Sequence, residues 1–202
     1  MSRKIIILVV LICVILLGVG LGALKEYRYQ ESIGIVSLKN SIIQTIDDQI
    51  LVKNKKTGLS FKIPSGWKQG EESLYSFVFV SPDFLPNDKD IFPKKGCIFV
   101  AGITNYDKRD LYNHSIWLKE RIESILANPE EFENSSLQVL IVDGRYAYKE
   151  VYSYLPRGEN VKIEIPRIEE AKVYEIETWS SGEDIEQCQK EFDQILATVK
   201  IK

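Results

Sequence analysis

Histidine and cysteine are scarce in this chain, and their scarcity excludes several kinds of site. The 202 residues include one histidine, His114, and three cysteines, of which Cys13 lies inside an apolar run. A structural zinc site uses a full tetrahedral set of Cys and His ligands, and too few remain to supply it. The sequence also lacks a GxSxG turn, a glycine-rich phosphate loop and a dinucleotide fingerprint. We therefore expect no metal and no cofactor, and a role other than catalysis is favoured.

Positive charge is also in short supply. The chain has 26 Lys and Arg against 29 Asp and Glu, and Arg3 and Lys4 both precede the apolar run. The rest of the chain therefore carries a formal charge of −5. A nucleic-acid partner would require a basic face, so the balance argues against one. It argues equally against tight electrostatic binding to anionic lipid.

The longest uncharged stretch is residues 5–24, IIILVVLICVILLGVGLGAL. At roughly 1.5 Å per residue it reaches about 30 Å, the thickness of a bilayer core, so it predicts a membrane-spanning helix. We expect residues 1–4 to form a short cytoplasmic tail and the helix to act as an uncleaved signal-anchor. The domain that follows would then lie outside the cytoplasm at the cell membrane. The alternative is a signal peptide cut near Ala23, which would release a secreted protein.

Residues 25–50 are interpreted as a connector between the membrane span and the domain. Leu38, Ile42, Ile43 and Ile46 recur at helical spacing, which predicts a short amphipathic helix in this segment.

Residues 51–202 carry the pattern of a folded domain rich in strands. Leu59, Phe61 and Ile63 alternate with polar residues, as in a half-buried strand. The runs SLYSFVFVSP and CIFVAGIT are apolar at successive positions, which is typical of strands covered on both faces. In LQVLIVDGRYAYKEVYSY, two β-rich runs meet at Asp143–Gly144, which predicts a hairpin with a tight primed turn. In NVKIEIPRI, Glu164 and Pro166 suggest an edge strand.

Two helices complete the domain. The first is predicted by apolar residues that fall on one face: Leu111, Leu118, Ile122 and Ile125. The last has an apolar stripe that begins at Ile185, and Asp184 with Gln187 predicts a capping box at its start. The order of strands, helix, strands and helix indicates an α+β fold with a mostly antiparallel sheet and helices packed on it.

Cys97 and Cys188 are the cysteines outside the apolar run. In an oxidising compartment they could form a disulfide, which requires their Cα atoms to lie within about 7 Å. His114 lies at the start of the first helix, where a structural role is the simplest interpretation. An alternative is a hydrolase that uses His114 with a nearby cysteine or serine as the nucleophile.

Three features are candidates for binding a ligand or a partner. A loop at residues 81–96 separates the two apolar strands, and loops of this length without regular structure are usually functional or mobile. Tyrosines alternate along the second hairpin strand, as either an exposed binding row or core residues, and Trp67 is either a packed corner residue or a ligand platform. The candidate residues are Trp67, Asp83, Phe84, Asp88, Asp90, Phe92, Tyr146 and Tyr148.

Three stretches together resemble the PsbP-like proteins. TGLSFKIPSGW resembles their opening strand and P-x-G-W corner, and VDGRYAYKEVYSY resembles their central hairpin. KVYEIETWSS followed by EFDQILATVKI resembles their closing strand and final helix. The likeness covers about residues 50–202 and implies a Mog1/PsbP-like α/β/α sandwich that serves as a non-enzymatic binding platform. A photosystem role is not implied, because this chain has an expected anchor and lacks a histidine-rich metal site.

We expect a membrane-tethered binding or scaffold domain. Its expected partners are the lipid bilayer, through residues 5–24, and another envelope or membrane protein. A subunit of a membrane sensor complex is a further alternative to the hydrolase.

Overall fold

The computed structural model describes residues 41–70, 76–104, 108–132, 136–170 and 172–202. They belong to one unit, Val36–Lys202. The expected tail, membrane span and most of the connector lie outside the described residues. Within the described part, none of the helices combines the length and the apolar character of a membrane span.

Eleven strands, three helices and one 3-10 turn make up the described unit. The strands are β1 (Ile42–Ile46), β2 (Gln49–Lys53), β3 (Leu59–Ile63), β4 (Lys68–Gln69), β5 (Ser76–Val80), β6 (Cys97–Ile103), β7 (Leu137–Val142), β8 (Arg145–Ser153), β9 (Gly158–Arg167), β10 (Lys172–Ser181) and β11 (Lys200–Ile201). The helices are α1 (Lys108–Ala127), α2 (Pro129–Phe132) and α3 (Ile185–Leu196), and the 3-10 turn is Ile168–Glu170.

The strands form two antiparallel sheets. The small sheet has the order β1-β2-β3-β11, and the large sheet has the order β4-β5-β6-β10-β9-β8-β7. Helix α1 packs on one side of the large sheet, which we call the outer face. Helix α3 and the small sheet pack on the other side, which we call the inner face. The expected α+β class is confirmed.

The inner face holds the main hydrophobic core. Phe61 of β3 lies at its centre, with ring centroids 5.8, 6.2 and 5.3 Å from those of Phe77, Phe79 and Phe99. These side chains are at most 2% exposed. Burial of aromatic surface on this scale is the main source of stability that joins the two sheets. The predicted alternation in β3 is confirmed, since Leu59, Phe61 and Ile63 are all buried.

Helix α1 has a smaller core of its own on the outer face. Leu118, Ile122 and Ile125 pack against Tyr148 of β8 and Val173 of β10. The apolar stripe predicted for this helix is therefore confirmed, and the helix covers the half of the sheet that contains β7 and β8.

The β7–β8 hairpin also forms as predicted. Asp143 and Gly144 have φ angles of 49° and 75°, as a primed turn requires. The Asp143 carboxylate accepts hydrogen bonds from the Ile201 amide at 2.8 Å and from Lys200 Nζ at 3.0 Å. The turn of the large sheet is thereby attached to the last strand of the small sheet.

The prediction of a helix within the connector is wrong for the residues of the connector that the structure describes. These residues belong to the β1–β2 hairpin. Ile43 pairs with Val52, and Asp47 and Asp48 form the turn with φ angles of 50° and 60°. Aspartate tolerates positive φ better than most residues, and the β-branched residues before the turn favour a strand. Spacing alone did not separate these two structures.

The edge position expected for NVKIEIPRI is also wrong, because β9 lies between β10 and β8. Glu164 is only 5% exposed there. Pro166 is tolerated because pairing with β8 ends at Glu164, so that Pro166 faces only Val173 of β10. A proline in that position removes no hydrogen bond to a second neighbour.

The capping box expected at the start of α3 does not form. Asp184 occupies the N-cap position without a side-chain capping bond. Its Oδ2 atom instead accepts hydrogen bonds from Ser181 Oγ at 2.6 Å and from the Gly96 amide at 2.7 Å. Gln187 donates to Glu191 within the helix. Asp184 therefore anchors the loop before β6 rather than the first turn of the helix.

A disulfide joins Cys97 of β6 to Cys188 of α3. Their Cα atoms lie 5.6 Å apart, inside the limit for a bridge, and 91 positions separate them in sequence. The bond holds the last helix against the inner face.

We expect replacement of both cysteines by alanine to lower the free energy of unfolding by about 3–5 kcal/mol, because the bond closes a long loop in the unfolded chain. Denaturant unfolding of the oxidised protein and the double variant measures the difference. Reductant should destabilise the wild type and leave the double variant unchanged. Equal unfolding midpoints for the oxidised wild type and the variant would contradict a stabilising bond.

Candidate functional site

The outer face of the large sheet is only partly covered. Helix α1 contacts strands β7, β8, β9 and β10. On β5 and β6, the side chains that point to the inner face are buried, whereas Val78, Val80, Ile98 and Val100 are half-buried. The sequence predicted cover on both faces of these strands, and the outer face has it only in part. Among the described residues, an apolar strip beside the helix is therefore partly exposed.

Strand register arranges the outer-face side chains of β6, β10, β9 and β8 in three rows, of which the first contains Glu175, Glu164 and Tyr148. The second row places Glu177 between Val100 and Lys162, and Lys162 next to Glu150. We call the charged centre of these rows the glutamate face. Its members are Glu150, Lys162, Glu164, Glu175 and Glu177. The third row places Ile98, Trp179, Asn160 and Tyr152 side by side.

Lys162 is the central cation of the glutamate face. Its Nζ atom lies 3.5 Å from Glu164 Oε1 and 3.4 Å from Glu175 Oε1. Glu164 and Glu175 are direct cross-strand neighbours, which would be destabilising for two unscreened like charges. Burial lowers the pKa of Lys162, but the charges of Glu175, Glu164 and Glu177 outweigh burial and the pKa is raised.

Glu175 and Glu177 form a hydrogen-bonded pair of carboxyl groups. Burial, the hydrogen bond to Glu175 and the charge of Glu175 raise the pKa of Glu177 to about 7. Burial opposes ionisation of Glu175 too, but hydrogen bonds from Glu177 and Thr104 and the charge of Lys162 lower its pKa. Below about pH 7 the pair therefore keeps one proton, which resides on Glu177. Trp179 Nε1 donates to Glu177 Oε2 at 3.0 Å and fixes its orientation.

His114 joins the glutamate face from helix α1. Its Nε2 atom lies 2.8 Å from Glu164 Oε1, and its ring stacks on Trp117 with centroids 5.7 Å apart. The hydrolase hypothesis named a cysteine or a serine as nucleophile. Cys97 and Cys188 are joined to each other, so the cysteine version is wrong and a serine would have to serve.

The tyrosine row, which runs along β8 to Tyr154 just after it, divides into one core residue and three exposed ones. Tyr148 is 3% exposed and lies edge-on to Trp117 under helix α1. Tyr146, Tyr152 and Tyr154 are 55%, 38% and 41% exposed. Burial and a hydrogen bond to Glu150 raise the pKa of Tyr152, which places this ring at the margin of the glutamate face.

The loop 81–96 is fixed to the sheet by Phe92. This candidate binding residue is 1% exposed, because its ring fits between the rings of Tyr154 and Trp179, with centroids 5.2 and 5.5 Å away. Ile91 and Leu155, which the sequence analysis did not single out, are 66% and 68% exposed beside these contacts. Ile91 of the loop and Leu155 of the β8–β9 connection are therefore exposed apolar neighbours of Phe92 and Tyr154, and Phe92 contacts Trp179 of the third row.

The other predicted loop residues have different surroundings. Asp83 forms an ion pair with Lys95 at 3.7 Å, and Asp90 forms one with Arg157 at 3.4 Å. Asp88 is exposed and Phe84 is half-buried. Their role in binding stays a prediction.

Trp67 lies in the main core with 5% of its surface exposed. Its indole Nε1 donates to Glu191 Oε2 of α3 at 3.0 Å. This burial favours the corner-packing interpretation over the ligand platform.

Sequence reasoning missed the charged part of this site. The signal was present in KVYEIETW, where Glu175 and Glu177 replace apolar residues at alternate positions of a central strand. Within the part of the chain that the structure describes, His, Cys, Asp and Glu side chains do not converge in groups of three or more that could hold a metal ion.

The sequence and the fold were compared with known proteins. The model of a family described as PsbP-like protein matches residues 6–201. A search of curated proteins by sequence finds no match. Solved structures that are similar at low identity include the following three. One is a Bacteroides thetaiotaomicron protein, with 14% identity and a TM-score of 0.42. That match covers 72% of this chain and 45% of the other, so the chain spans less than half of that protein.

The other two structures are of similar size to this chain. Cyanobacterial PsbP (CyanoP) from Synechocystis has 12% identity and a TM-score of 0.43, over 78% of this chain and 94% of its own. LpqN, which is involved in cell envelope biogenesis of Mycobacterium tuberculosis, has 13% identity and a TM-score of 0.42, over 82% of this chain and 94% of its own.

The raised pKa of Glu177 predicts a pH-dependent stability. A carboxyl group with a folded pKa of about 7 and an ordinary value of 4.5 contributes stability at low pH that is lost as the pH rises through 7. Between about pH 5 and pH 8, the free energy of unfolding of the wild type should therefore fall by on the order of 1–2 kcal/mol relative to that of Glu177→Gln. This figure allows for partial solvent screening. Urea unfolding of both proteins at the two pH values measures this.

Glu120→Gln on the exposed side of α1 is the matched control, because it removes one carboxylate outside the network. It should follow the wild-type pH profile. If the Glu177→Gln variant followed that profile as well, a raised pKa of Glu177 would be excluded.

Proposed function

The chain belongs to the PsbP-like protein family, and we propose that it is a non-catalytic binding domain held at a membrane surface. The observation that carries this proposal is the open part of the outer face, where apolar, aromatic and charged side chains lie together next to helix α1. The family membership supports a PsbP-like fold, and the binding role is our inference from the surface.

The composition of this surface fits a protein partner. Aromatic side chains supply most of the energy at interface hot spots, and Trp179 and Tyr152 lie here in one row with half-buried Ile98. Ile91 and Leu155 add exposed apolar area at the loop end. These residues would anchor a partner beside the charged glutamate face.

Charge defines the chemistry of the partner. Four glutamates surround a single lysine on the glutamate face, and the domain as a whole is acidic. A segment that presents apolar residues together with Lys or Arg would be complementary to it, and like-charged partners would be rejected. We propose an envelope or membrane protein with such a segment.

The membrane attachment is a second part of the proposal, and its support comes from sequence. Residues 5–24 are long and apolar enough to span a bilayer. A tether of this kind would place residues 51–202 outside the cytoplasm and raise their effective concentration near membrane partners.

Site-specific photo-crosslinking tests the binding surface. A benzoylphenylalanine at Tyr152 exchanges one aromatic ring for another on the open face, and the same residue at Ile46, 44% exposed in the small sheet, is the control. In intact cells we expect one discrete adduct from position 152 and none from position 46. The adduct should weaken at high ionic strength, since the face is charged. Matching adduct patterns at both positions would reject the proposed surface.

Carbonate extraction and proteolysis test the tether separately. The intact chain should stay in the membrane fraction after alkaline extraction, and protease added to spheroplasts should digest its domain. A variant with two Leu→Arg changes at Leu11 and Leu16 should leave that fraction, since charges inside a span are costly. Recovery of a soluble mature protein that begins near Ala23 would instead show that the segment is a cleaved signal.

A further inference from the structure

A second charged cluster lies away from the glutamate face, where β8 and β10 begin and β9 ends. Arg145 is the first residue of β8, and Arg167 and Lys172 are paired residues of β9 and β10. The 3-10 turn that connects β9 to β10 places Glu170 among these cations. We call this set the arginine cluster.

Glu170 is the anion at the centre of the arginine cluster. Its carboxylate accepts a hydrogen bond from Lys172 Nζ at 2.7 Å and forms an ion pair with Arg167 Nη2. The hydrogen bond from Lys172 is the main cause that lowers the pKa of Glu170, and the charges of Arg167 and Arg145 act in the same direction. Arg145 acts on Glu170 through its charge, without a hydrogen bond to it.

Two donors in this cluster are unsatisfied. The Nε atoms of Arg145 and Arg167 are buried, and within the described residues neither has a hydrogen-bond partner. Buried polar groups almost always find a partner, so two such donors on neighbouring strands require an explanation. Arg167 uses its other nitrogens for Glu170 and for a main-chain oxygen of Lys202.

The cluster also has an excess of positive charge. Three side-chain cations act on one side-chain carboxylate, Glu170, although the chain beyond the apolar run is negative overall. The nearby Asp143 carboxylate feels the charge of Arg145, but it is already bonded to the Ile201 amide and to Lys200. It therefore does not neutralise the arginines on its own.

We propose that the arginine cluster is a binding site for an oxyanion of the phosphate type, and that Glu170 occupies it in the ligand-free state. A guanidinium group presents Nε–H and Nη–H in a fork that matches two oxygens of a phosphate. The side chain of Glu170 is 32% exposed and belongs to a short turn, so it can move out and release Arg167 and Lys172 to the ligand. The site is independent of the glutamate face and of its proposed partner.

Isothermal titration of the full chain in neutral detergent tests the site with two probes. Inorganic phosphate represents a free ligand, and glycerophosphoglycerol represents a phospholipid headgroup. We expect saturable binding of at least one probe. Saturation by inorganic phosphate alone would assign the site to a free phosphate group, and saturation by the headgroup would assign it to a lipid surface.

Three variants are expected to differ in their effect on the affinity for the bound probe. Arg145→Gln should weaken binding about tenfold because it removes a fork of donors. Glu170→Gln should strengthen it about threefold, because the competing internal anion is gone. Lys190→Gln is the matched control on the exposed side of α3, with the same loss of charge and no expected effect. Lys172→Gln replaces the Arg145 variant if the latter does not fold.

Absence of saturable binding for both probes would overturn the proposal. It would also be overturned if Arg145→Gln, or Lys172→Gln in its place, and Lys190→Gln had equal effects, or if Glu170→Gln weakened binding. None of these outcomes depends on the photo-crosslinking result at Tyr152, so the two proposals can fail separately.

Discussion

On the two central strands of the large sheet, three glutamate side chains depend on one lysine. Lys162 contacts both Glu164 and Glu175, which would otherwise repel each other across neighbouring strands. The third, Glu177, has a pKa raised to about 7, so that below this pH it keeps its proton and does not repel Glu175. Burying a group of carboxylates lowers the stability of the fold unless their charges are paired. The positive charge of Lys162 is therefore what allows these glutamates to lie together on the sheet.

The large sheet can carry such a face because its stability comes from the other side. Phe61, Phe79 and Phe99 are fully buried on the inner face, and the bond between Cys97 and Cys188 holds α3 against it. Those contacts do not involve the outer side chains of β5, β6 and β10. The outer face is thus free to be polar and partly open, which is the usual arrangement for an antiparallel sheet that serves a function on one side.

The sequence predicted correctly those elements whose structure depends on residues close together in the chain. The alternation around Phe61 and the turn at Asp143 were read correctly because side-chain period and φ preference depend on neighbours in sequence. The glutamate face was not predicted, since Glu164 depends on His114, fifty positions earlier, and on a register that pairs it with Glu175. The β1–β2 segment failed for another reason: its isoleucines suit either period.

Asp143 is subject to two requirements at once. The tight turn accepts Asn or Gly as readily as Asp, so hairpin geometry alone leaves this position tolerant of exchange. Its carboxylate, however, also holds Lys200 and the Ile201 amide of the small sheet. Asparagine would preserve the hairpin and weaken that attachment. A substitution that preserves the turn would therefore still weaken the contact between the two sheets. Which residues are tolerated at this turn depends on a strand nearly sixty residues away.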